Sequence, residues 1–349
     1  MYNRLTIGIP TYNRAEYLDV GLGVILNQNN VHLQIVISDN ASDDRTVDVV
    51  NKYIKLGLNI KYFCWPKNMG ADLNFLKVAE LADGEFLWFL GSDDLICDGA
   101  VNKVLTAINV LTSDIYLCSY FLCDVKMRPY KLERLFKQEL ADFKFSLPHR
   151  SELNRFFNSA ESLAAFFPFL SSIIVSTEKW RMVSDNSKYE GTQYIHMFVM
   201  FQVVFSGAEL SYLPEPLVKW RSGNDSFAGV GKIVSRYRID LRAFKIVIDS
   251  FLVGRNDLVS AYLKVFRKHH SFSSIARLRM HVKSYSEWEC IKRELISSYN
   301  YSCLKLKILD YQVVATVLEL LFPIMKMTRE ISRKILRRKL KNAMKLEAY

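Results

Sequence analysis

The run FLWFL at residues 86–90 constrains this chain more than any other stretch. Five consecutive apolar residues lie between Gly84 and Gly91. A strand with one wet face would alternate, so an unbroken run of this length reads as a strand buried on both faces, inside a parallel sheet covered by helices. It runs out into Ser92, Asp93 and Asp94, and open α/β sheets hold their ligands at the carboxyl ends of such strands. Two readings of these acids follow. Ser92 and Asp93 can open a helix as an N-cap with favourable dipole charges. Alternatively, Asp93 and Asp94 hold a hard divalent cation, because Mg²⁺ takes one or two carboxylates and completes its shell with substrate phosphates.

The preceding residues repeat the pattern. Residues 5–10 (LTIGIP), 34–37 and 60–65 read as strands, and residues 15–27 and 72–81 as helices. Between the second and third strands, Ser42 is placed as the cap of a helix with Asp43 and Asp44 in its first turn and Val47, Val50 and Ile54 at helical spacing. Four strands alternating with three helices predict an α/β fold with a doubly wound, mostly parallel sheet. The polar loops then share one edge: residues 11–14, 39–42, 68–70 and the Asp93–Asp94 pair. No lysine-bearing phosphate loop occurs, and Gly21-Leu22-Gly23 lacks the third glycine of a dinucleotide fingerprint. A bound nucleotide would be held by side chains and a metal.

After Asp98 the pattern loosens. Residues 115–120 and 172–176 read as strands, 178–183 and 197–205 as helices, 126–146 as irregular, and 209–221 as strand-turn-strand around Pro214 and Pro216. From about residue 235 the pattern is helical. The expected organisation is a domain over 1–230, with a nucleotide-binding half (1–100) and an acceptor half (101–230), then a helical region over 231–349. Charge is divided along the chain. Residues 1–100 carry eight Lys/Arg against thirteen Asp/Glu, whereas residues 326–349 carry nine basic residues against Glu330 and Glu347. In that tail Met327, Ile331, Ile335, Leu340 and Met344 recur among the cations, a basic amphipathic pattern suited to an anionic membrane surface. A solvated helix packed on the domain would look similar. No aromatic platform or RNA motif accompanies it, which argues against nucleic acid. The six cysteines include no C-x-x-C and suit a reduced cytosolic protein. No signal peptide is read at the amino terminus, and residues 308–325, broken by Asp310, Glu319 and Pro323, are read as non-spanning.

The strand-end loops IPTYNR (9–14), ISDNASDD (37–44), NMG (68–70) and LGSDD (90–94) resemble those of the family 2 glycosyltransferases, whose fold is of the GT-A type. Three later blocks resemble a narrower group: SSIIVSTEKW (171–180), YEGTQYIH (189–196) and PLVKWRSGNDSF (216–227). That group is the O-antigen abequosyltransferases and related dideoxyhexosyl transferases of lipopolysaccharide synthesis. The resemblance implies a nucleotide site built by Thr11, Tyr12, Asn13 and Arg14, with Asp39 accepting from the pyrimidine and Asn68 near the ribose or base. Asp93 and Asp94 would hold Mg²⁺ or Mn²⁺, Asp93 also serving the donor diphosphate. Two departures stand out. Gly91 replaces the first acid of the family's D-x-D-D box, and Glu190-Gly191 replaces the Glu-Asp pair that carries the base.

Each candidate also has a plain structural reading. Asp39 can cap its own turn, Asn13 can cap a helix, and Asn68-Gly70 can be only a turn. For the base, His196, Glu190 and Asp185 compete; His196 lies on the first turn of an apolar helix, where a histidine is often packed rather than reactive. Arg221 and Asn224 could close over the diphosphate. The implied activity is metal-dependent transfer of a sugar from a CDP- or UDP-linked donor. The donor sugar would be a 3,6-dideoxyhexose such as abequose, and the acceptor a polyprenyl-diphosphate-linked O-antigen glycan at the inner face of the cytoplasmic membrane. With inversion a base is required; with retention it is not. Loss of the first box acid and of the Glu-Asp pair also fits a non-catalytic, membrane-associated module of the same fold.

Overall fold

The structure is a computed structural model and describes residues 4–28, 33–140, 143–183, 186–224, 232–310, 331, 332 and 334–336. Its contacts divide into two compact units, one of residues 1–127 and 132–222, the other of 128–131 and 223–349.

The first unit opens with the predicted alternation. Strands β1 (Leu5–Thr11), β2 (Leu33–Asp39), β3 (Ile60–Cys64) and β4 (Phe86–Phe89) are parallel and lie in the order β3-β2-β1-β4. Helices α1 (Ala15–Leu26), α2 (Thr46–Lys55) and α3 (Ala71–Leu81) connect them. Every residue of β1, β2 and β4 is buried, as an apolar strand between two helical layers requires. On β1, a Cβ at Gly8 would sit 2.2 Å from Val78 Cγ1 of α3, so the helix can approach the sheet only over a glycine. In α2 the buried stripe is Thr46, Val50 and Tyr53. Val47 and Ile54, expected to face the core with Val50, are 46% and 43% exposed. The helix starts at Thr46, so Ser42 does not cap it.

After β4 the chain turns through residues 91–94 into β5 (Leu95–Ile96), and α4 (Ala100–Leu111) begins only after Gly99. Ser92 and Asp93 therefore cap no helix. Next come β6 (Ile115–Cys123), β7 (Pro129–Glu133), β8 (Lys144–Ser146), α5 (Arg150–Ser159), β9 (Ile173–Ser176), α6 (Thr177–Met182), α7 (Ile195–Phe205) and β10 (Glu209–Arg221). The sheet continues β4-β9-β6-β10-β5, with β9 antiparallel to both β4 and β6 and with β10 parallel to β6. Strands β6 and β10 thus run with β4 and end at the same edge. Two expectations are corrected. Residues 126–146 contribute β7 and β8 rather than an irregular excursion. Residues 209–221 form one strand whose register on β6 slips between Leu213 and Val218, around prolines that cannot donate to the ladder, instead of turning back.

The second unit contains α8 (Lys232–Phe251), α9 (Asn256–His269), α10 (Phe272–His281), α11 (Tyr285–Tyr299) and α12 (Cys303–Lys307). Its core is aromatic: Phe266 stacks on Tyr299 at 4.1 Å, and His270 lies 4.4 Å from Phe266 and 4.8 Å from Tyr237. Most of the basic tail, and the 308–325 stretch beyond Asp310, lie outside the described residues. Among the described residues no helix is long and apolar enough to cross a membrane.

Burial, with the nearby charges of His269 and Arg236, pushes the His270 imidazole down to about 3. The folded chain resists the proton that the unfolded chain accepts near pH 6.5, so this contribution is present above that pH and is lost as pH falls toward 3. Denaturation of His270→Phe and the parent between pH 7 and pH 4 should show a shallower acid loss in the variant. Parallel curves would contradict the assignment.

Candidate active site

The loops after β1, β2 and β3 are bonded into one rim. Asn40 N–H donates to Thr11 O at 2.9 Å, and Trp65 N–H to Asp39 O at 2.9 Å. Asn13, at φ 51, donates its amide to Ser42 Oγ and accepts from Asp43 N–H, both at 2.9 Å. Asn13 therefore does not cap α1. That task falls to Asp44, whose carboxylate accepts from Ala15 N–H at 2.9 Å and from the Thr46 amide and hydroxyl at 3.0 and 2.5 Å. Burial raises the Asp44 carboxyl, but these hydrogen bonds outweigh it and hold the group below the ordinary range.

Asp39 is both a turn residue and a site candidate. Its Oδ1 accepts from the Ser42 amide and hydroxyl, and its Oδ2 accepts from Tyr62 OH at 2.7 Å. A carboxylate oxygen has two acceptor positions, so Oδ2 keeps one for a further donor. Beside it, burial and then the Asp39 carboxylate push the Tyr62 phenol up, keeping it a donor. The Asn68 side chain accepts from Asn40 Nδ2 and Gly70 N–H, both at 2.9 Å, fastening the loop after β3 to the loop after β2. Thr11 is buried, and its Oγ1 has no hydrogen-bond partner. Tyr12 beside it is 45% exposed.

The corner after β4 divides the acid pair. Asp94 is 4% exposed; its Oδ2 accepts from Ser171 Oγ at 2.6 Å and its Oδ1 from Arg221 N–H at 3.1 Å. Burial first, then the Asp93 charge, push its carboxyl up to about 8. Gly91 N–H donates to the same Ser171 Oγ at 2.9 Å. A Cβ at Gly91 would stand 3.0 Å from Asp94 Oδ2, so the missing box acid leaves room for this buried carboxyl. Asp93 faces the other way and meets Arg14 Nη1 at 2.5 Å, which joins the β4 corner to the β1 loop. Arg221 does not reach out over the corner. It is buried, with Nε on Asp93 O at 2.9 Å, Nη1 on Val125 O at 2.5 Å, and its guanidinium 4.8 Å from the Tyr17 ring.

The 190–196 segment is tied to the same edge by a residue that sequence reasoning missed. Asp72, in the first turn of α3, accepts from Gln193 N–H at 2.9 Å and Ile195 N–H at 3.1 Å, satisfying amides at the start of α7. Burial pushes its carboxyl up despite these bonds. Because α3 starts where β3's loop ends, α7 starts there too. Glu190 is exposed at the head of this segment. His196 is 3% exposed, its ring 5.3 Å from Phe75 and 5.9 Å from Tyr194, with Nε2 3.4 Å from Pro168 O. Its surroundings are those of a packed histidine. Asn224 falls in the second unit and Asp185 outside the described residues.

Among the described residues no group of three or more His, Cys, Asp or Glu side chains is gathered for a metal. The donor set fits a hard cation only as a single protein carboxylate, Asp93, completed by substrate phosphates, because Asp94 is buried and turned to Ser171 and Arg221. Asp72→Ala should strand the Gln193 and Ile195 amides and cost about 1–3 kcal/mol in chemical denaturation. Asp72→Asn, which keeps one acceptor, should lose less. Equal stability of all three proteins would remove the anchor.

The fold has known counterparts among solved structures. The structure is similar to that of Staphylococcus aureus TarS 1–349 in complex with UDP, at 18% identity and TM-score 0.60, covering 96% of this chain and 89% of that one. It is also similar to the mannosyltransferase PcManGT from Pyrobaculum calidifontis, in complex with GDP-Man and Mn²⁺. There the identity is 15% and the TM-score 0.52, over 92% of this chain and 88% of the other. In sequence, 268 residues are 35% identical to abequosyltransferase RfbV of Salmonella typhimurium, covering 74% of this chain and 79% of that protein. The sequence model described as Glycosyl transferase family 2 matches residues 6–172, from β1 to the serine before β9. The chain belongs to glycosyltransferase family 2 and is a glycosyltransferase.

Proposed function

We propose that this glycosyltransferase binds a pyrimidine nucleotide sugar along the rim of the β1–β4 loops and passes the sugar to a hydroxyl of a lipid-linked glycan. The observation that carries the reading is the Arg14–Asp93 contact, which brings a cation and a hard carboxylate from two loops to one point beside the Thr11 and Asp39 loops. The spare acceptor position of Asp39 Oδ2 suits a ring N–H or amino group of a pyrimidine, and the unpartnered Thr11 Oγ1 suits a polar atom of the nucleoside. Arg14 presents a planar fork that matches phosphate oxygens and can exchange Asp93 for the diphosphate. Asp93 would then be the protein ligand of Mg²⁺ or Mn²⁺. Such an ion offsets the charge that grows on the leaving nucleoside diphosphate.

In an inverting displacement, the acceptor oxygen bonds to the anomeric carbon as the sugar–phosphate bond breaks and its electron pair leaves with the diphosphate. The acceptor proton goes to a base. Glu190, exposed ahead of the anchored α7, is better disposed for that than the buried His196. Asp94 and Ser171 hold the turn that aims Asp93. Similarity to an abequosyltransferase supports a 3,6-dideoxyhexose as the donor sugar and an O-antigen unit as the acceptor. The nine cations of residues 326–349 support peripheral attachment at the inner face of the cytoplasmic membrane, where a polyprenyl-diphosphate acceptor would lie.

CDP or UDP with Mn²⁺ should raise the Tm of the protein, and Asp93→Ala should lose the metal-dependent part of the rise. In a transfer assay Glu190→Gln should lower kcat by about 10²–10⁴-fold with little change in donor KM. No stabilisation by any pyrimidine nucleotide would defeat the donor reading, and an undiminished kcat would defeat the base. Removing residues 326–349 should release the protein from vesicles rich in anionic lipid; retained binding would refute the attachment.

A further inference from the structure

On the β9-β6-β10 side of the Asp93–Asp94 turn, three aromatic rings from three segments meet. Tyr120 is near the end of β6, Trp220 near the end of β10, and Phe169 precedes β9. Ring centroids are 4.2 Å apart for Tyr120–Phe169, 5.9 Å for Phe169–Trp220 and 6.4 Å for Tyr120–Trp220. Val218 pairs with Tyr120 in the ladder, so Trp220, two residues on, projects from the same face of the sheet. Tyr120 is buried and Phe169 half-buried, whereas Trp220 is 38% exposed. The ring open to water therefore stands on two that fix its angle.

This cluster is continuous with the acid corner. The residue after Trp220 is Arg221, whose amide donates to Asp94, and two residues after Phe169 is Ser171, whose hydroxyl donates to the other Asp94 oxygen. Strand order puts the loops of β1, β2 and β3 on one side of β4 and the three rings on the other. A sugar held by its diphosphate at Asp93 would lie between them, with the rings on its side away from the β1–β3 loops. One open indole is about the size of one pyranose and far below the area of a stable protein interface. A pyranose offers a face of C–H bonds that packs on an aromatic ring while its hydroxyls stay in water.

We propose that Trp220, backed by Phe169 and Tyr120, is an acceptor subsite that stacks one pyranose ring of the acceptor glycan. The inference rests on the nucleotide-sugar reading above for its role in transfer, but ring stacking can be measured without the donor. The full chain contains five tryptophans and can be labelled with 5-fluorotryptophan. The Trp220 resonance is assigned by its loss in Trp220→Phe, and the buried Trp288 of the second unit serves as internal reference.

The probes are the methyl pyranosides of glucose, galactose and mannose, with the open-chain polyol sorbitol as control. At least one pyranoside should shift the Trp220 resonance saturably, sorbitol should not, and Trp288 should stay still. In transfer assays Trp220→Ala should raise acceptor KM about tenfold, about 1.4 kcal/mol of binding, and donor KM less than about twofold. Trp220→Phe, which keeps a ring, should fall between Trp220→Ala and the parent. A Trp220 resonance unmoved by all three pyranosides, or an unchanged acceptor KM, overturns the subsite. Absence of nucleotide-dependent stabilisation defeats the donor reading instead and leaves the fluorine result to be judged alone.

Discussion

Asp94 places a carboxyl group out of water and gives it two donors from distant parts of the chain, Ser171 and the backbone of Arg221. A buried acid is costly unless its oxygens are bonded, so the three segments that meet there are held in one arrangement. The turn after β4, the segment before β9 and the end of β10 converge on this point. The arrangement also explains the glycine at position 91, since a side chain there would press on the Asp94 carboxylate. With Asp94 turned inward, the neighbouring Asp93 is left facing the Arg14 loop. The adjacent acids thus serve different ends: one fixes the corner and the other is presented at it.

The same economy runs around the rim. Asp44 caps α1 from the neighbouring loop, Asn40 and Asn68 tie the second loop to the third, and Asp72 brings the start of α7 to the end of α3. Polar side chains in these loops satisfy backbone amides that would otherwise be buried alone. The rim is therefore built before any ligand arrives. What it offers a ligand is limited: the Thr11 hydroxyl, one acceptor position on Asp39, and the already paired Arg14 and Asp93.

Much of this was legible in the residues. The apolar runs of β1, β2 and β4 and the polar loops behind them fix the parallel sheet and the edge where its loops gather, because that edge follows from topology. The acid pair was legible as a site but not as two roles, since the partners of Asp94 lie 77 and 127 residues away. Asp72 gave no signal at all: its ligands are backbone amides 121 and 123 positions on, and an acid in a helix's first turn is ordinary. Arg221 read as a clamp because it was placed at a strand's end, in a glycine-containing loop. The strand instead continues through a slip and buries the guanidinium against backbone carbonyls.

Hydrogen–deuterium exchange, measured with and without UDP plus Mn²⁺ and repeated with CDP, tests the convergence of these loops most directly. Peptides covering residues 11–14, 39–44, 66–70 and 91–94 should gain protection together and over the same range of nucleotide concentration. Protection confined to a single loop, or none in any of the four, would contradict a shared site at this edge of the sheet.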